Sequence, residues 1–422
     1  MDISRRRLLA GSLSVAALAI ASPVAPGAQA AMGPSEKFDL VIKGGEVLDP
    51  SQDLRAKRDI GVRNGLIETL EEEIPAARIG KSIDATGKLV TPGLIDLHTH
   101  VFPYGSAIGI PADELVPYTC ATTMVSAGDA GANNIAAFHR HIVAQTRTRM
   151  YAFVHIANFG LTGFPVGEML NIEHADVDLC AKAVAQNSDL VLGVKVRMTK
   201  SIVGQNGLEP LKRAIQATER SGVRGARVMV HIGDAPGDLS ELLDLLRPGD
   251  ILTHAYSGAG NNTVQNGKLL PAALAAKQRG VVIDVGHGGG SFDYTVAEPA
   301  IEQGLVPDTI SSDIHVYSGN TPGMPFLPIV MSKFLNMGFP LEEVIAKATV
   351  NPAKVINRDP KLGTLQVGAP ADVAIMELVE GPVRFVDTLE HYREGSRYLK
   401  PVQTVRAGVP FGRPFMSPFS PS

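Results

Sequence analysis

The segment from Gly93 to His100, GLIDLHTH, is an apolar run that ends in two histidines. On a β-strand successive side chains point to opposite faces, so His98 and His100 leave the same face. Such a pair alone is also compatible with hydrogen-bonded polar groups at the rim of a core. Four later apolar runs end on residues of the same general kind, namely Lys195 in LVLGVKVR, His231 in RVMVHIG, His254 in DILTHAY and Asp313 in DTISSDIH. Five strand ends of this kind predict one shared metal site.

Strand-like runs alternate with helical patterns through the middle of the chain, which indicates a parallel α/β architecture. The predicted strands end near His100, Ser126, Ala157, Arg197, His231, His254, Val285 and Asp313. Segments such as Leu208 to Gly222 and Lys268 to Gly280 carry apolar residues at helical spacing and end in glycine. An open doubly wound sheet alternates in the same way. The ligand-type residues favour a (β/α)8 barrel, because only a closed barrel brings the carboxyl ends of strands one, four, five, six and eight to one centre.

The segments before and after this central region have a different sequence pattern. From Phe38 to Leu89, short β-branched runs are interrupted by Gly, Asn-Gly and Pro, and the same pattern returns at Ala371 to Leu378 and Pro401 to Phe411. We therefore predict a small β-sandwich domain built from residues 31–90 and 360–422, with the barrel occupying residues 91–359.

The first residues resemble a bacterial secretion signal. Ser4 to Leu9 reads SRRRLL, an apolar run extends from Leu8 to Ile20, and Ala28 to Ala30 reads AQA. The apolar run is shorter than the roughly 20 residues that a membrane-spanning helix needs. We expect residues 1–30 to be a twin-arginine signal peptide, cleaved on export to the periplasm, with no integral membrane segment afterwards.

Charge and cysteine content narrow the classes of partner. Removing residues 1–30 takes away three Arg and one Asp, which moves the net charge from −4 to −6 and leaves no basic footprint for nucleic acid. The two cysteines, Cys120 and Cys180, are too few for a disulfide framework, and we expect both to be buried thiols. A small-molecule substrate is the predicted partner, and a homo-oligomer is compatible with this composition.

The residue types at the strand ends suit zinc or a similar divalent ion, and they offer too few oxygen ligands for calcium. Lys195 is the unusual member, because a lysine ammonium with a pKa of about 10.4 has no lone pair for a metal. From the residues alone, Lys195 could pair with Asp313, reach solvent, or react with carbon dioxide to form an anionic carbamate that bridges two cations.

Further motifs follow the strand ends. They are VGHGGGSF at Val285 to Phe292, SSDIH at Ser311 to His315, NPAKV at Asn351 to Val355 and GTLQVGAPADVAI at Gly363 to Ile375. With these motifs the chain resembles the amidohydrolase superfamily and, within it, the deacetylase-like metallohydrolases near dihydroorotase and D-aminoacylase. The loop after His254, AYSGAGNNTVQNG, is longer than in those relatives, which leaves the substrate open.

The resemblance implies a binuclear site with two divalent ions, zinc being the expected metal. His98, His100 and Asp313 would hold one ion, and His231 and His254 the other. An N6-carboxylysine formed from Lys195 and a hydroxide would lie between them. Two ions make such a water acidic and polarise a substrate carbonyl, and Asp313 would act as general acid and base.

Other polar residues at the same rim are candidates for substrate binding. Arg197 shares a strand face with Lys195, so it either binds a substrate carboxylate or anchors a loop. His287, Gly288 and Gly289 follow strand seven, where glycines let backbone N–H groups approach a substrate, although such a run is also a plain flexible turn. For three further rim residues we predict only a hydrogen-bonding role: His155, Asn158 and His315.

The leading hypothesis is a metal-dependent hydrolase of amide or ester bonds, a deacetylase of N-acyl amino acids or acylated hydroxy acids. A cyclic-amide hydrolase of the dihydroorotase type shares the metal chemistry and differs in pocket shape. A catalytically silent binding protein on the same scaffold is the alternative from another class, and the complete set of six ligand-type residues disfavours it.

Overall fold

The computed structural model describes residues 32–33 and 35–412, and the predicted signal peptide lies outside these ranges. No helix among the described residues is both long and apolar enough to cross a membrane. The strands, numbered in chain order, are β1 (Phe38–Asp49), β2 (Leu54–Arg63), β3 (Leu66–Glu71), β4 (Ile79–Asp84), β5 (Leu89–Pro92), β6 (Leu94–Thr99), β7 (Ala121–Gly131), β8 (Arg149–His155), β9 (Val191–Met198), β10 (Arg227–Ile232), β11 (Ile251–Thr253), β12 (Val264–Gln265), β13 (Lys268–Leu269), β14 (Val282–Ile283), β15 (Val373–Val386), β16 (Tyr392–Arg406) and β17 (Val409–Pro410).

The α-helices lie mainly between the strands of the central region. They are α1 (Ala112–Thr119), α2 (Ile135–Ala137), α3 (Val177–Gln186), α4 (Lys200–Val203), α5 (Glu209–Arg220), α6 (Leu239–Asp244), α7 (Pro271–Gln278), α8 (Tyr294–Glu302), α9 (Leu327–Asn336), α10 (Leu341–Ala346) and α11 (Val350–Val355). Short 3-10 turns occur at Ala76–Arg78, Val143–Gln145, Ile172–His174, Gly204–Asn206 and Ser318–Asn320, and a π-helical turn at Phe138–Ile142.

Seven parallel strands form the central sheet in the order β14-β11-β10-β9-β8-β7-β6. Residues 309–314 close it, because this segment bridges β6 through Thr99 and Ile314, and meets the chain after β14 through Asp284 and Thr309. The Asp313 amide also donates a 2.7 Å hydrogen bond to the His98 carbonyl. The predicted (β/α)8 barrel is confirmed, with an eighth member that pairs only at isolated bridges. The positive φ of Asp313, 49°, interrupts the extended backbone there and explains the irregularity.

The barrel interior is filled by apolar side chains from several strands, some of which are not neighbours in the sheet. Val125 of β7, Phe153 of β8 and Met229 of β10 belong to one buried cluster, together with Ala353 and Ile356 near α11. Non-adjacent strands can meet in this way only across the inside of a closed sheet. Strands β6 and β7 are buried along their whole length, as expected where helices cover the outer face.

The helices that cover the barrel follow the predicted pattern with one shift. In α5 the residues Leu211, Ala214 and Ala217 are buried on one face, and Gly222, with φ of 66°, follows its end. The predicted helix from Lys268 begins later, at Pro271. Lys268 and Leu269 instead pair with β12 in a short hairpin, so the start of that prediction was wrong.

A second sheet of eight strands is built from both ends of the described chain. Its order is β17-β16-β15-β5-β1-β2-β3, with β4 beside β1. The two chain ends meet where β15 runs antiparallel to β5, from Val373 opposite Pro92 to Met376 opposite Leu89. A separate apolar cluster that includes Ile42, Val90 and Val405 fills this part of the molecule. The fold class is therefore the predicted barrel with a β-sandwich from both chain ends.

Candidate active site

The six predicted metal ligands come together at the carboxyl ends of the barrel strands. The positions are as follows: His98 lies in β6 and His100 directly follows it, Lys195 lies in β9, His231 lies in β10, His254 follows β11 and Asp313 lies in the closing segment. Five of them line a cavity of about 390 Å³: His98, His100, Lys195, His231 and Asp313. His254 is buried beside them, with its ring centroid 4.4 Å from that of His231 and 4.9 Å from that of His98.

The polar atoms converge closely. Asp313 Oδ1 lies 3.2 Å from His98 Nε2 and 3.1 Å from His100 Nε2. The Lys195 Nζ lies 3.2 Å from His98 Nε2. One potential ligand atom from each of His98, His254 and Asp313 falls within 4.8 Å of the others, which is compatible with a shared ion.

Hydrogen bonds on the far side of two imidazoles set their orientation. The Thr253 hydroxyl donates to Asp284 at 2.7 Å, so it accepts the 2.8 Å bond from His98 Nδ1–H. His254 Nδ1–H donates to the Gly286 carbonyl at 2.5 Å. Because each ring has its proton on Nδ1, its Nε2 carries the lone pair. This is the arrangement by which supporting residues prepare metal-binding imidazoles.

His100 is oriented by a carboxylate instead. Its Nδ1 lies 2.8 Å from Asp129 Oδ1, and Asp129 also accepts bonds from the Val101 amide at 2.9 Å and the Ser126 hydroxyl at 2.7 Å. Burial opposes the charged imidazole, but Asp129 and Asp313 together raise the pKa of His100 to about 9. Sequence reasoning missed Asp129, Thr253 and Asp284. For Asp284 a signal existed, since VVIDV ends an apolar run on a carboxylate as the other strands do.

Two of the predicted metal ligands have strained backbone conformations. His254 and Asp313 have φ of 62° and 49°, in the left-handed region that non-glycine residues rarely adopt. A Cβ added at Gly288 would overlap Asp313 Oδ2, and the φ of Gly288 is 56°. A glycine at position 288 is therefore required for this close approach to Asp313.

Lys195 is 1% exposed, and its Nζ contacts His98 Nε2 and, at 3.5 Å, the sulfur of Met229. It therefore does not reach solvent. No ion pair between Lys195 and a carboxylate of the described residues falls within 4.0 Å, so direct pairing with Asp313 is not formed. Burial lowers the pKa of the Lys195 amine to about 7.

These donors fit divalent metal ions. Asp313 Oδ1 is buried and has no hydrogen-bond donor in suitable geometry among the described residues, although two imidazole nitrogens lie close to it. A buried carboxylate oxygen without a donor is costly, and a cation held by the same imidazoles would satisfy it. Imidazole and carboxylate together favour zinc or a similar ion.

Arg197 lines the cavity, and the carboxylate of Glu168 holds its guanidinium in place. Its Nη1 lies 3.2 Å from both carboxylate oxygens of Glu168, and Glu168 Oε1 lies 3.2 Å from His155 Nε2. Burial opposes ionisation of Glu168, but His155 and Arg197 lower its pKa to about 2. Arg197 thus anchors the segment after β8 and still faces the cavity. Sequence reasoning missed Glu168, which lies in a loop without strand or helix periodicity.

The remaining predicted rim residues occupy different places. Gly289 lines the cavity together with His315, whose Nδ1 lies 3.3 Å from the Ser318 amide. Asn158 uses its backbone amide to donate to the His174 carbonyl. His287 is fully buried and is not among the residues that line the cavity. Its ring faces a buried lysine instead, so the structure does not bring His287 to the predicted substrate surface.

A closed α/β barrel with imidazoles, a lysine and a carboxylate at its strand ends defines a metallohydrolase type of enzyme site. Residues 89–410 match the model of the Amidohydrolase family, and the chain belongs to this family.

The similar proteins carry several names. A deacetylase of Agrobacterium fabrum is 35% identical over 77% of this chain and 79% of its own length. A deacetylase of Enterococcus faecalis is 30% identical over 88% of this chain and 98% of its own length. Two crystal structures, of an adenine deaminase and a dihydroorotase, each superpose with a TM-score of 0.81 at 29% and 31% identity. They cover 89% and 88% of this chain and 99% and 97% of their own. The chain is thus an amidohydrolase-family hydrolase.

Proposed function

We propose that the protein is a binuclear-metal hydrolase of acyl bonds whose substrates are N-acyl amino acids or acylated hydroxy acids. The observation that carries the proposal is a cavity lined by three imidazoles, Lys195, Asp313 and Arg197, with the fourth imidazole, His254, buried beside it. The similarity to proteins named deacetylase supports the acyl substrate.

The proposed division of the ligands between two ions follows the resemblance to the amidohydrolase superfamily. His98, His100 and Asp313 would hold one ion, and His231 and His254 the other, with zinc as the expected metal. When bound, such ions make a water molecule acidic near neutral pH and polarise a carbonyl oxygen. Asp129, Thr253 and the Gly286 carbonyl keep the three anchored imidazoles in the required tautomer and orientation.

Lys195 is proposed to be present as N6-carboxylysine. A pKa of about 7 leaves a large fraction of its amine neutral and nucleophilic at physiological pH. The amine adds to carbon dioxide and loses a proton, and the product is a carbamate with two oxygen atoms. The Lys195 Nζ lies 3.2 Å from His98 Nε2, and His100 and His231 line the same cavity, so the anion would lie where cations are expected.

Asp313 is proposed to move the proton. A carboxylate oxygen of Asp313 accepts the proton of the attacking water and then gives it to the leaving amine or alkoxide. Gly288 packs against Oδ2 of this carboxylate, and His98 and His100 lie close to Oδ1. The Asp313 carboxylate therefore has little freedom of rotation.

Arg197 is proposed to bind the substrate carboxylate. It pairs in register with His231 on the neighbouring strand, which places it beside the proposed ion ligands. Among the described residues, only Glu168 accepts hydrogen bonds from its guanidinium, and both bonds use Nη1. The other N–H groups are free to donate to an anion, which is the geometry that guanidinium groups use to recognise carboxylates.

A substrate panel tests this function. It contains N-acetyl amino acids, acetylated 2-hydroxy acids, the neutral amides of both, and dihydroorotate. We expect the carboxylated acyl compounds to be hydrolysed, with Arg197→Met losing roughly 10- to 100-fold in kcat/KM on them, the value of a charge-assisted hydrogen bond, and losing little on the neutral amides.

Arg220→Met is the matched control, since Arg220 is exposed and pairs with Asp178 away from the cavity. Ring opening of dihydroorotate without acyl hydrolysis would instead favour a cyclic-amide hydrolase, the activity named for one similar structure. No turnover by the metal-loaded protein would favour a binding protein.

Metal content is a second expected result. Elemental analysis of the purified protein should find about two divalent ions per chain, because two ligand sets converge on the cavity. Prolonged dialysis against a chelator should remove the ions and the activity together, and zinc should restore both. Full activity in a metal-free sample would contradict the proposed site.

A further inference from the structure

Lys333 is a fully buried lysine outside the cavity that the proposed reaction does not use. It lies in α9, is 1% exposed, and is surrounded by acceptors from three other segments. Its Nζ lies 2.7 Å from His287 Nε2, 2.7 Å from the Val386 carbonyl and 3.3 Å from the Gly323 carbonyl. Three acceptors therefore face the Lys333 Nζ, as a buried amine or ammonium requires, and burial lowers the pKa of this group to about 7.

The donor and the acceptor can be assigned for the hydrogen bonds that join Lys333, His287 and Gly288. His287 Nδ1 lies 2.8 Å from the Gly288 carbonyl oxygen, which can only accept, so the ring proton is on Nδ1. His287 Nε2 then accepts from Lys333. Burial and the Lys333 charge hold the pKa of His287 well below its usual value, so the ring is neutral. Phe292 stacks on the ring at 4.8 Å with an interplanar angle of 17°.

The carbonyl that accepts from His287 belongs to Gly288, the residue whose Cα packs against Asp313. A Cβ at Gly288 would overlap Asp313 Oδ2, and the Gly288 amide donates to the Ser312 carbonyl at 2.9 Å. The position of the Gly288 peptide therefore limits where the Asp313 carboxylate can lie. Lys333 reaches Asp313 through His287 and Gly288 without touching it.

We propose that Lys333 and His287 form a positioning pair that holds the Gly288 peptide and thereby the carboxylate of Asp313. The inference rests on the proposed function, in which Asp313 moves the proton. A methionine at position 333 would fill similar space without a buried charge, and packing alone does not require an ammonium. What the ammonium adds is a fixed direction for His287 Nε2, and hence for the Gly288 carbonyl.

The experiment compares Lys333→Met with Lys347→Met in the metal-loaded enzyme. Lys347 is a matched control, because it is a buried lysine near the end of α10, 5% exposed, whose Nζ donates to the Pro307 carbonyl at 2.6 Å. We expect Lys333→Met to lower kcat at least roughly tenfold, since small misplacements of catalytic groups have large effects on rate. Its KM and metal content should stay close to native, and Lys347→Met should keep the native kcat.

Two further measurements separate positioning from general destabilisation. Because both residues act through one peptide, Lys333→Met combined with His287→Gln should lose no more kcat than the worse single variant. Crystal structures should show the Asp313 carboxylate displaced by at least roughly 0.5 Å in Lys333→Met and unmoved in Lys347→Met, a displacement large enough to matter for catalysis.

An unmoved Asp313 in Lys333→Met, or an equal loss of kcat in both lysine variants, would overturn the inference. The native enzyme is assayed first on the substrate panel. Absence of native turnover would count against the proposed function, whereas the position of Asp313 in the crystal structures tests the inference independently of activity.

Discussion

Replacing Asp313 with Asn is expected to lower kcat by at least roughly a hundredfold while the protein keeps near-native metal content, because the loss of an acid/base group costs about that much. The amide oxygen can still bind an ion, but an amide cannot accept the proton of the attacking water. The measurement is kcat on the best substrate of the panel, beside elemental analysis of the same sample.

Asp234→Asn serves as the control, because Asp234 follows β10 yet pairs with exposed Lys200 at 3.1 Å and does not line the cavity. It should keep the native rate. Native turnover in Asp313→Asn with both ions bound would assign proton transfer to another group. Loss of the ions would instead show that Asp313 acts mainly as a ligand.

Replacing Lys195 with Ala should remove much of the bound metal and nearly all of the activity. The proposed carbamate would supply oxygen ligands to the ions, and without it the imidazoles and Asp313 alone would have to hold the cations. Short carboxylic acids should restore part of both, because they can place two oxygen atoms in the space left by the side chain. Metal content and kcat are measured with and without added acetate.

Lys200→Ala is the comparison variant for this experiment, since Lys200 is exposed and paired with Asp234. It should behave as native protein and show no response to acetate. A Lys195→Ala protein with full metal content and full activity would show that Lys195 has no part in the site. Mass spectrometry under native conditions provides a direct check for the added carbon dioxide.

The residues at the strand ends could be predicted from sequence because their signal is local. In a parallel barrel every strand begins on one side and ends on the other, so a polar residue that terminates an apolar run points to the same rim. His98, Lys195 and His231 were found in this way. The alternation of apolar runs with helical spacing likewise predicts the barrel, because periodicity depends only on the nearest residues.

The supporting hydrogen bonds could not be predicted in this way. Asp129 lies near the end of β7 and Glu168 lies in a loop after β8. Each meets a partner 29 residues away in the chain, His100 and Arg197 respectively. The predicted eighth strand also failed as a regular strand, since Asp313 has a positive φ and its side chain packs against Gly288. Contacts of this kind depend on how several loops fold over one another.

His287 and Lys333 are the clearest case in which the sequence pattern and the tertiary structure give different positions for a residue. The glycine run around His287 predicts a substrate-facing turn, and a lysine in a helix is ordinarily solvent exposed. The two residues are 46 positions apart, and only the packing of α9 against the segment after β14 buries them together. Sequence by itself determined which strands carry ligand-type residues, because the two-residue period sets the face of each side chain. The tertiary structure decided which nitrogen each ring presents, because that depends on a partner from a distant part of the chain.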